Sequence, residues 1–345
     1  MVKKQKDMYR LFNNFSLKES NTFGINAIAK HYLSIDSSID LIQFFNKHTE
    51  ISSEKRLFLG AGSNLLFIHD YEGLVIHPEI GGIEVIFENK YFVEIEVGAG
   101  IKWDYFVAWS VEKGWSGIEN LSLIPGNIGA VPVQNIGAYG IDAASVISEV
   151  KGVDLATLEN KYFNREACEF GYRTSLFKEK LKETFMVTSV VFRLSKHPDF
   201  KIQYEGLQEK IAYFGEINLN NIRQAIIAIR ESKLPDPAKI GNAGSFFKNP
   251  LVSEEMGKKM RNLYPEVPLY PIGSGMVKVA AGWLIEKAGW KGKSAGEAAI
   301  HDKQSLVIIN QGDATGMEIL RLSEMVAEDV FTRFNIHLER EVQVV

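Results

Sequence analysis

The sequence predicts a mixed α+β protein of two or three domains, and three observations carry that prediction. The chain has 345 residues, 46% of them apolar, enough to bury a sizeable core and more than one core usually serves. Strand-type patterns dominate from Gly73 to Leu194. Beyond Ser195 helix-type spacing takes over, with His197-Pro198-Asp199 as the break.

The elements follow in order. After a polar start and Asn21-Thr22-Phe23-Gly24, the run His31-Tyr32-Leu33-Ser34-Ile35 predicts a strand, and Leu41, Ile42, Phe44 and Phe45 predict an amphipathic helix from about Ser38 to His48. A second strand, Arg56 to Leu59, runs into Gly60-Ala61-Gly62-Ser63-Asn64. Small residues there expose backbone N–H groups, and Ser63 and Asn64 add side-chain donors, a plausible cradle for phosphate. The run lacks the third glycine and the following helix of a dinucleotide fingerprint, because Leu65 to Ile68 reads as another strand. Strands are expected at Leu74–His77, Ile83–Phe87 and Phe92–Val97; in the last, Val93, Ile95 and Val97 alternate with Glu94 and Glu96, the mark of a half-buried strand. A helix from about Lys102 to Glu112 shows Trp103, Phe106, Val107 and Ser110 on one face.

The stretch from Gly117 to Gly140 is of another kind. Glycines at 117, 126, 129, 137 and 140 and prolines at 125 and 132 leave little room for regular structure. Yet Leu121, Leu123, Ile124, Ile128, Val131, Val133 and Ile136 are too apolar for water, and Glu119 is the one charge. Either a tightly packed structural loop or a buried wall that brings backbone N–H groups close to a ligand satisfies this pattern. Strand signals follow at Val146–Val153, Lys161–Phe163 and Phe185–Leu194, broken by the loop holding Tyr172-Arg173-Thr174-Ser175. Arg173 there suits anion binding, or is a surface residue on a hairpin.

In the last third, Ile222, Ile226 and Ile229 predict a helix from Asn220 to Lys233, stopped by Leu234-Pro235-Asp236-Pro237. Gly241 through Pro250 reads as a second loop, of small residues followed by aromatics. Helices are expected at Ser253–Leu263 and Ala280–Ala288, and Thr315 with Glu318 forms a capping box for a last helix through about Phe334, with Ile319, Leu322, Val326 and Val330 facing inward. Ile336 to Val345 reads as a final strand. Alternation puts Glu339 and Glu341 on one of its faces, toward the core with a shifted pKa or toward solvent.

Bulk properties narrow the function. A net charge of −4 offers no basic excess for nucleic acid or a membrane surface. The first ten residues are basic, but no apolar segment follows them, and no run approaches the roughly 20 apolar residues of a membrane span; a cytoplasmic protein is expected. Cys168 is the only cysteine and the 7 histidines are scattered, so neither an internal disulfide nor a metal site is expected. Ser245 has no Gly-x-Ser-x-Gly elbow around it.

Taken in order, Asn21-Thr22-Phe23, Gly60 through Asn64, Gly117 through Gly140, Tyr172-Arg173-Thr174-Ser175, Lys233-Leu234-Pro235-Asp236-Pro237, Gly241 through Pro250, Ala280 through Ile285 and Leu338-Glu339-Arg340-Glu341 closely resemble the UDP-N-acetylenolpyruvoylglucosamine reductases of peptidoglycan precursor synthesis. Tyr204, in Gln-Tyr-Glu-Gly, is similar to the substrate-covering tyrosine of the family's longer type. The resemblance implies an α+β fold in three parts: a two-part FAD-binding unit of the vanillyl-alcohol-oxidase (PCMH-type) kind at 1–70 and 71–218, with strand 336–345 near the first, and a C-terminal α/β substrate domain at 219–335. It also implies NADPH as hydride donor and UDP-N-acetylglucosamine enolpyruvate as substrate. FAD is expected to be noncovalent, since neither glycine loop carries a histidine tether. Gly60, Ala61, Gly62, Ser63 and Asn64 become the FAD pyrophosphate loop. Ser122, Pro125, Gly126, Ile128, Gly129, Gln134, Asn135, Gly137 and Ala138 become the wall beside flavin and ribityl chain. Arg173, Ser245 and Glu341 match the three catalytic positions, and Tyr204, Lys233, Asn249, Lys291 and Gln304 fall where the family contacts the UDP-sugar. The chain departs from many members at Gln343, where they carry Arg. A monomer without membrane or nucleic-acid partners is expected. An FAD oxidase or dehydrogenase of the same fold and a non-catalytic nucleotide-sugar binding module remain the alternatives.

Overall fold

The structure is a computed structural model and describes residues 9–345; most of the basic N-terminal stretch lies outside them. The chain forms two compact units. Of the described residues, one contains Tyr9–Phe15, Ala29–Ala61 and Tyr71–Ser232; the other contains Ser16–Ile28, Gly62–Asp70 and Lys233–Val345.

The first unit holds a four-stranded sheet, a five-stranded sheet and a two-stranded one that pairs Gly137–Ala138 with Ile141–Asp142. In the first, the order is Tyr9–Ser16, Ile28–Ile35, Tyr71–Pro78 and Arg56–Phe58, with parallel pairing from Ile28–Ile35 through to Arg56–Phe58. Ser37 accepts from the N–H of Asp40 and starts the helix Ser38–Lys47. Its Leu41, Phe44 and Phe45 pack with Leu33, Ile35, Leu74 and Ile76 in one apolar cluster, the packing expected when a helix connects parallel strands. The second sheet is antiparallel, in the order Glu159–Asn164, Ile147–Asp154, Phe185–Ser195, Phe92–Gly98 and Ile83–Glu88. The alternation read in the sequence holds here: Val93, Ile95 and Val97 are fully buried, while Glu94 meets Arg193, and Glu96 meets Lys151 and Ser189. The helix Trp103–Glu112 buries Trp103, Phe106, Val107 and Ser110, the face its spacing predicts.

The change of secondary structure after Ser195 is not a change of unit. Helices Leu207–Phe214 and Leu219–Lys233 cluster with Tyr139, Phe200 and Ile202 in the first unit, where their apolar faces are buried against one another.

In the second unit, Gly241–Ser245, Val307–Asn310, Ala298–Ile300 and Ser294–Ala295 make an antiparallel sheet, and Leu251–Ser253, Met276–Val279 and Leu269–Gly273 make another. Gly241 to Ser245, expected as loop, is therefore a strand. Small residues carry no strand signal of their own, and the pairing partner lies some sixty residues downstream in the chain. The expected ten-residue terminal strand is also corrected. Only Gln343–Val344 is regular, parallel to Leu65–Leu66, which is likewise shorter than the strand read there. Asn335 turns left-handed at φ 53° to end the last helix, and the residues after it find partners one at a time. Arg340 bridges Phe247, and the Glu341 N–H meets the Phe246 carbonyl. Glu339 is exposed beside Lys248 and Glu341 is half-buried, so no common strand face joins them. The capping box at Thr315 and Glu318 is present, and the inward residues of the helix Gly316–Phe334 are buried as expected.

Candidate active site

In the first unit the site is built on the Gly117–Gly140 stretch. Leu121, Ile128, Val131 and Ile136 anchor it in the core beside Trp103 and Phe192. Its backbone runs through short 3₁₀ turns at Glu119–Leu121 and Ile128–Ala130, with Leu123, Asn135 and Tyr139 at positive φ. Gly129 permits a close approach: a Cβ there would lie 2.9 Å from the Ala99 Cβ. Glu119, the one charge, is buried with its carboxylate turned back onto the Gly117 N–H at 2.7 Å; burial pushes its pKa up against those backbone donors.

The same stretch holds Arg173. Asn135 donates to the Gly171 carbonyl at 3.0 Å and accepts from the Ala144 N–H at 2.9 Å, Ser175 donates to the Val133 carbonyl at 2.6 Å, and Arg173 donates through Nη2 to the Gly137 carbonyl. The Arg173 backbone is left-handed at φ 58°, and its carbonyl accepts from Lys178 at 3.0 Å. The side chain therefore sits half-buried against residues 133–137 rather than on an open hairpin. Tyr204, exposed, meets the Tyr139 ring edge-on at 4.9 Å. Buried Asn120 donates to the carbonyls of Tyr139 at 2.9 Å and Lys201 at 2.6 Å, tying the end of the stretch to the segment before Tyr204.

In the second unit, residues far apart in sequence converge. The Phe246 N–H donates to the Leu306 carbonyl at 2.7 Å, and the Phe246 carbonyl accepts from the Glu341 N–H at 2.8 Å. Asn64 donates through Nδ2 to the Glu341 carbonyl at 3.1 Å and accepts from the Gln343 N–H at 3.0 Å. Asn64, Ser245, Gln304 and Glu341 thus gather around Phe246, with Gln304 reached through its Oε1 acceptance from Leu306 N–H at 3.4 Å. Gln343 spends its backbone N–H on the Asn64 carbonyl. Asn249 uses Oδ1 to accept from the Ala281 N–H at 2.9 Å, which caps the helix Ala281–Lys287. Lys233 is exposed, and the segment after it is tied to the same sheet by Asn242, which donates to the Pro235 carbonyl at 3.2 Å. Lys291 is exposed and paired with Glu286 at 2.9 Å; nothing in the second unit draws it to the Phe246 cluster.

The Gly60–Asn64 turn fits a diphosphate. Among the described residues no backbone carbonyl accepts from the N–H groups of Gly60, Ala61 or Gly62. Gly62 stands at φ 62°, where a Cβ would meet the Ser20 carbonyl at 2.0 Å, so only glycine fits this turn. Among the described residues no group of three or more His, Cys, Asp or Glu could hold a metal. Sequence reading missed Arg230 and Asp104. Burial lowers the pKa of Arg230, with the Tyr139 hydroxyl and Asp104 acting against it. Arg223 donates a two-pronged bond to Asp104 at 2.7 and 2.8 Å. Arg223 and Arg230 are seven residues apart on one helix, two turns on the same side, a spacing that could have flagged them.

Residues 34–160 match the family described as the FAD binding domain, and residues 236–345 match the C-terminal domain of UDP-N-acetylenolpyruvoylglucosamine reductase. The molecule is thus an FAD-binding fold of the PCMH type joined to a C-terminal substrate-domain fold. A UDP-N-acetylenolpyruvoylglucosamine reductase of Amoebophilus asiaticus is 42% identical over 97% of this chain and 99% of its own length, and one of Flavobacterium johnsoniae is 43% identical over 96% and 99%. The chain belongs to the UDP-N-acetylenolpyruvoylglucosamine reductase family. The crystal structure of a member from Thermus caldophilus shares the fold, with a TM-score of 0.66 at 22% identity over 97% of this chain and 98% of that one.

Proposed function

We propose that the chain catalyses the NADPH-dependent, FAD-mediated reduction of UDP-N-acetylglucosamine enolpyruvate to UDP-N-acetylmuramate, a step of peptidoglycan precursor synthesis. The observation that carries this is identity above 40% to named reductases across nearly the full length of both chains. FAD, when bound, supplies the hydride relay between NADPH and the enolpyruvyl group. Gly60 through Asn64 would cradle its diphosphate with backbone N–H groups, and Ser122, Pro125, Gly126, Ile128, Gly129, Gln134, Asn135, Gly137 and Ala138 would wall the ring and ribityl chain.

Adding hydride to the substrate's β-carbon leaves negative charge on the α-carbon and its carboxylate. Arg173 is assigned to that carboxylate, because a planar, permanent cation stabilises charge where it develops. Glu341 is assigned to the same developing charge, and Ser245 delivers the proton to the α-carbon. Tyr204, Lys233, Asn249, Lys291 and Gln304 are assigned to the UDP-sugar. In this reading residues 1–70 and 71–218 serve FAD and 219–335 serves substrate. The protein works as a cytoplasmic monomer with neither nucleic-acid nor membrane partners. Among the described residues no helix is long and apolar enough to cross a membrane.

An anaerobic titration tests the function. NADPH should bleach the flavin, and the enolpyruvyl sugar should restore its absorbance. Reoxidation by oxygen alone, with no response to the sugar, would make the chain an oxidase; a protein that cannot be loaded with FAD would make it a binding module.

A further inference from the structure

The first turn of the helix Trp103–Glu112 grips the Leu121–Asn127 segment. Trp103 donates through Nε1 to the Leu121 carbonyl at 2.8 Å and through its backbone N–H to the Gly126 carbonyl at 3.0 Å, and Lys102 bridges Asn127. Between them, Asp104 Oδ1 accepts from the Leu123 N–H at 2.5 Å. Leu123 stands at φ 59°, a conformation that an L-residue with a branched side chain keeps only when its surroundings hold it. Asp104 sits near a helix N-terminus, which favours a carboxylate.

That carboxylate is itself held from the helix Leu219–Lys233. Arg223 donates Nη1 to Oδ1 at 2.7 Å and Nη2 to Oδ2 at 2.8 Å, the parallel fork that fixes a carboxylate's plane as well as its place. The two side chains are 12% and 31% exposed, dry enough for the pair to escape most screening. Burial opposes the Asp104 charge, but the Arg223 bonds, the Leu123 N–H and the nearby charges of Arg223 and Arg230 outweigh it and hold Asp104 below the usual carboxylate range.

We propose that Asp104, oriented by Arg223, is a positioning residue that fixes the Ser122–Gly126 edge of the cofactor wall and thereby sets how tightly FAD is held. The proposal rests on the reading of Ser122, Pro125 and Gly126 as FAD contacts. Asp104 touches no reacting atom in it. Its carboxylate holds one strained peptide in the wall, and the Arg223 fork keeps that carboxylate from turning toward water.

The test strips FAD from the purified holoenzyme and measures the FAD dissociation constant for the parent, Asp104→Asn, Arg223→Gln, Arg223→Lys and the Asp104→Asn/Arg223→Gln double variant, together with the melting temperature of each apo-protein. Asp104→Asn and Arg223→Gln should each weaken FAD by roughly tenfold to a hundredfold, the loss of a charge-assisted hydrogen bond. Arg223→Lys, which keeps charge but not the fork, should fall between them and the parent. The double variant should be no weaker than Asp104→Asn, because both changes act through one carboxylate. Lower apo-protein melting temperatures with unchanged FAD affinity would reduce the pair to a brace between helices and overturn the proposal, as would additive losses in the double variant. A parent that binds FAD while the variants match it defeats this inference alone; a parent that binds none defeats the cofactor reading beneath it as well.

Discussion

Ser245 ends a strand whose next residue is bonded on both sides, to Leu306 through its N–H and to Glu341 through its carbonyl, so the serine has a fixed place without being sealed in the core. The two half-reactions make different demands on it. Hydride transfer from NADPH needs no proton on carbon, whereas reduction of the enolpyruvyl group stalls until the α-carbon is protonated. Ser245→Ala should therefore leave flavin bleaching by NADPH close to the parental rate and slow reoxidation by the sugar by roughly 10² to 10⁴ in stopped-flow measurements. Prompt reoxidation would remove Ser245 as the acid. Arg173 is constrained differently, held against the Gly137 carbonyl and a left-handed backbone. Arg173→Lys replaces a planar fork with a point charge, and should damage the sugar half-reaction more than the NADPH half-reaction. Equal damage to both would move Arg173 off the substrate carboxylate.

Elements differ in how far their own residues determine them. The helix Gly316–Phe334 is closed at its start by reciprocal bonds between Thr315 and Glu318, which satisfy N–H groups that no turn of the helix can reach. Thr315→Ala should lower stability by about 1 kcal/mol in urea unfolding, without altering FAD affinity; a loss indistinguishable from zero would mean water caps the helix equally well. Caps and apolar stripes are local, which is why this helix and Trp103–Glu112 were legible in the sequence to within a residue or two. Gly241–Ser245 was not, because its strand character comes from Val307–Asn310. The terminal segment failed in the opposite sense: its apolar alternation is real, but only Gln343–Val344 finds a neighbouring strand.

For the molecule as a whole, acid should act through carboxylates that the fold holds ionised. Burial opposes the charge on Asp104 and Glu96, but Arg223 for the first and Lys151 with Ser189 for the second lower both pKa values. A depressed folded pKa means that the unfolded chain binds more protons at low pH. These groups therefore add stability above the unfolded carboxylate pKa, about 4, and lose that contribution as pH falls further through the folded values. Glu119, with its pKa raised by burial, works in the other direction. Melting temperature should drop as pH falls below about 4, and Asp104→Asn should make that drop shallower. An identical slope in the variant would show that Asp104 does not carry it.

The sequence by itself determined the family, the existence of the long helices and the unusual character of Gly117–Gly140, since caps, periodicity and glycine-proline punctuation act within a few residues. It also marked individual chemistry-bearing residues, such as Arg173 in its loop and Ser245 after a run of small residues. Only the tertiary structure decided which of them share a neighbourhood. Asn64, Ser245, Gln304 and Glu341 meet around Phe246 because Phe246 offers one N–H and one carbonyl to two segments that no local pattern connects to it. The helix Leu219–Lys233 joins the first unit for a similar reason. Its apolar spacing is equally good against any core, and what assigns it is the Arg223 fork on Asp104 and the cover it gives Tyr139. Periodicity states which face of an element must be buried; the partner that buries it is chosen by shape and charge at a distance the chain cannot encode locally.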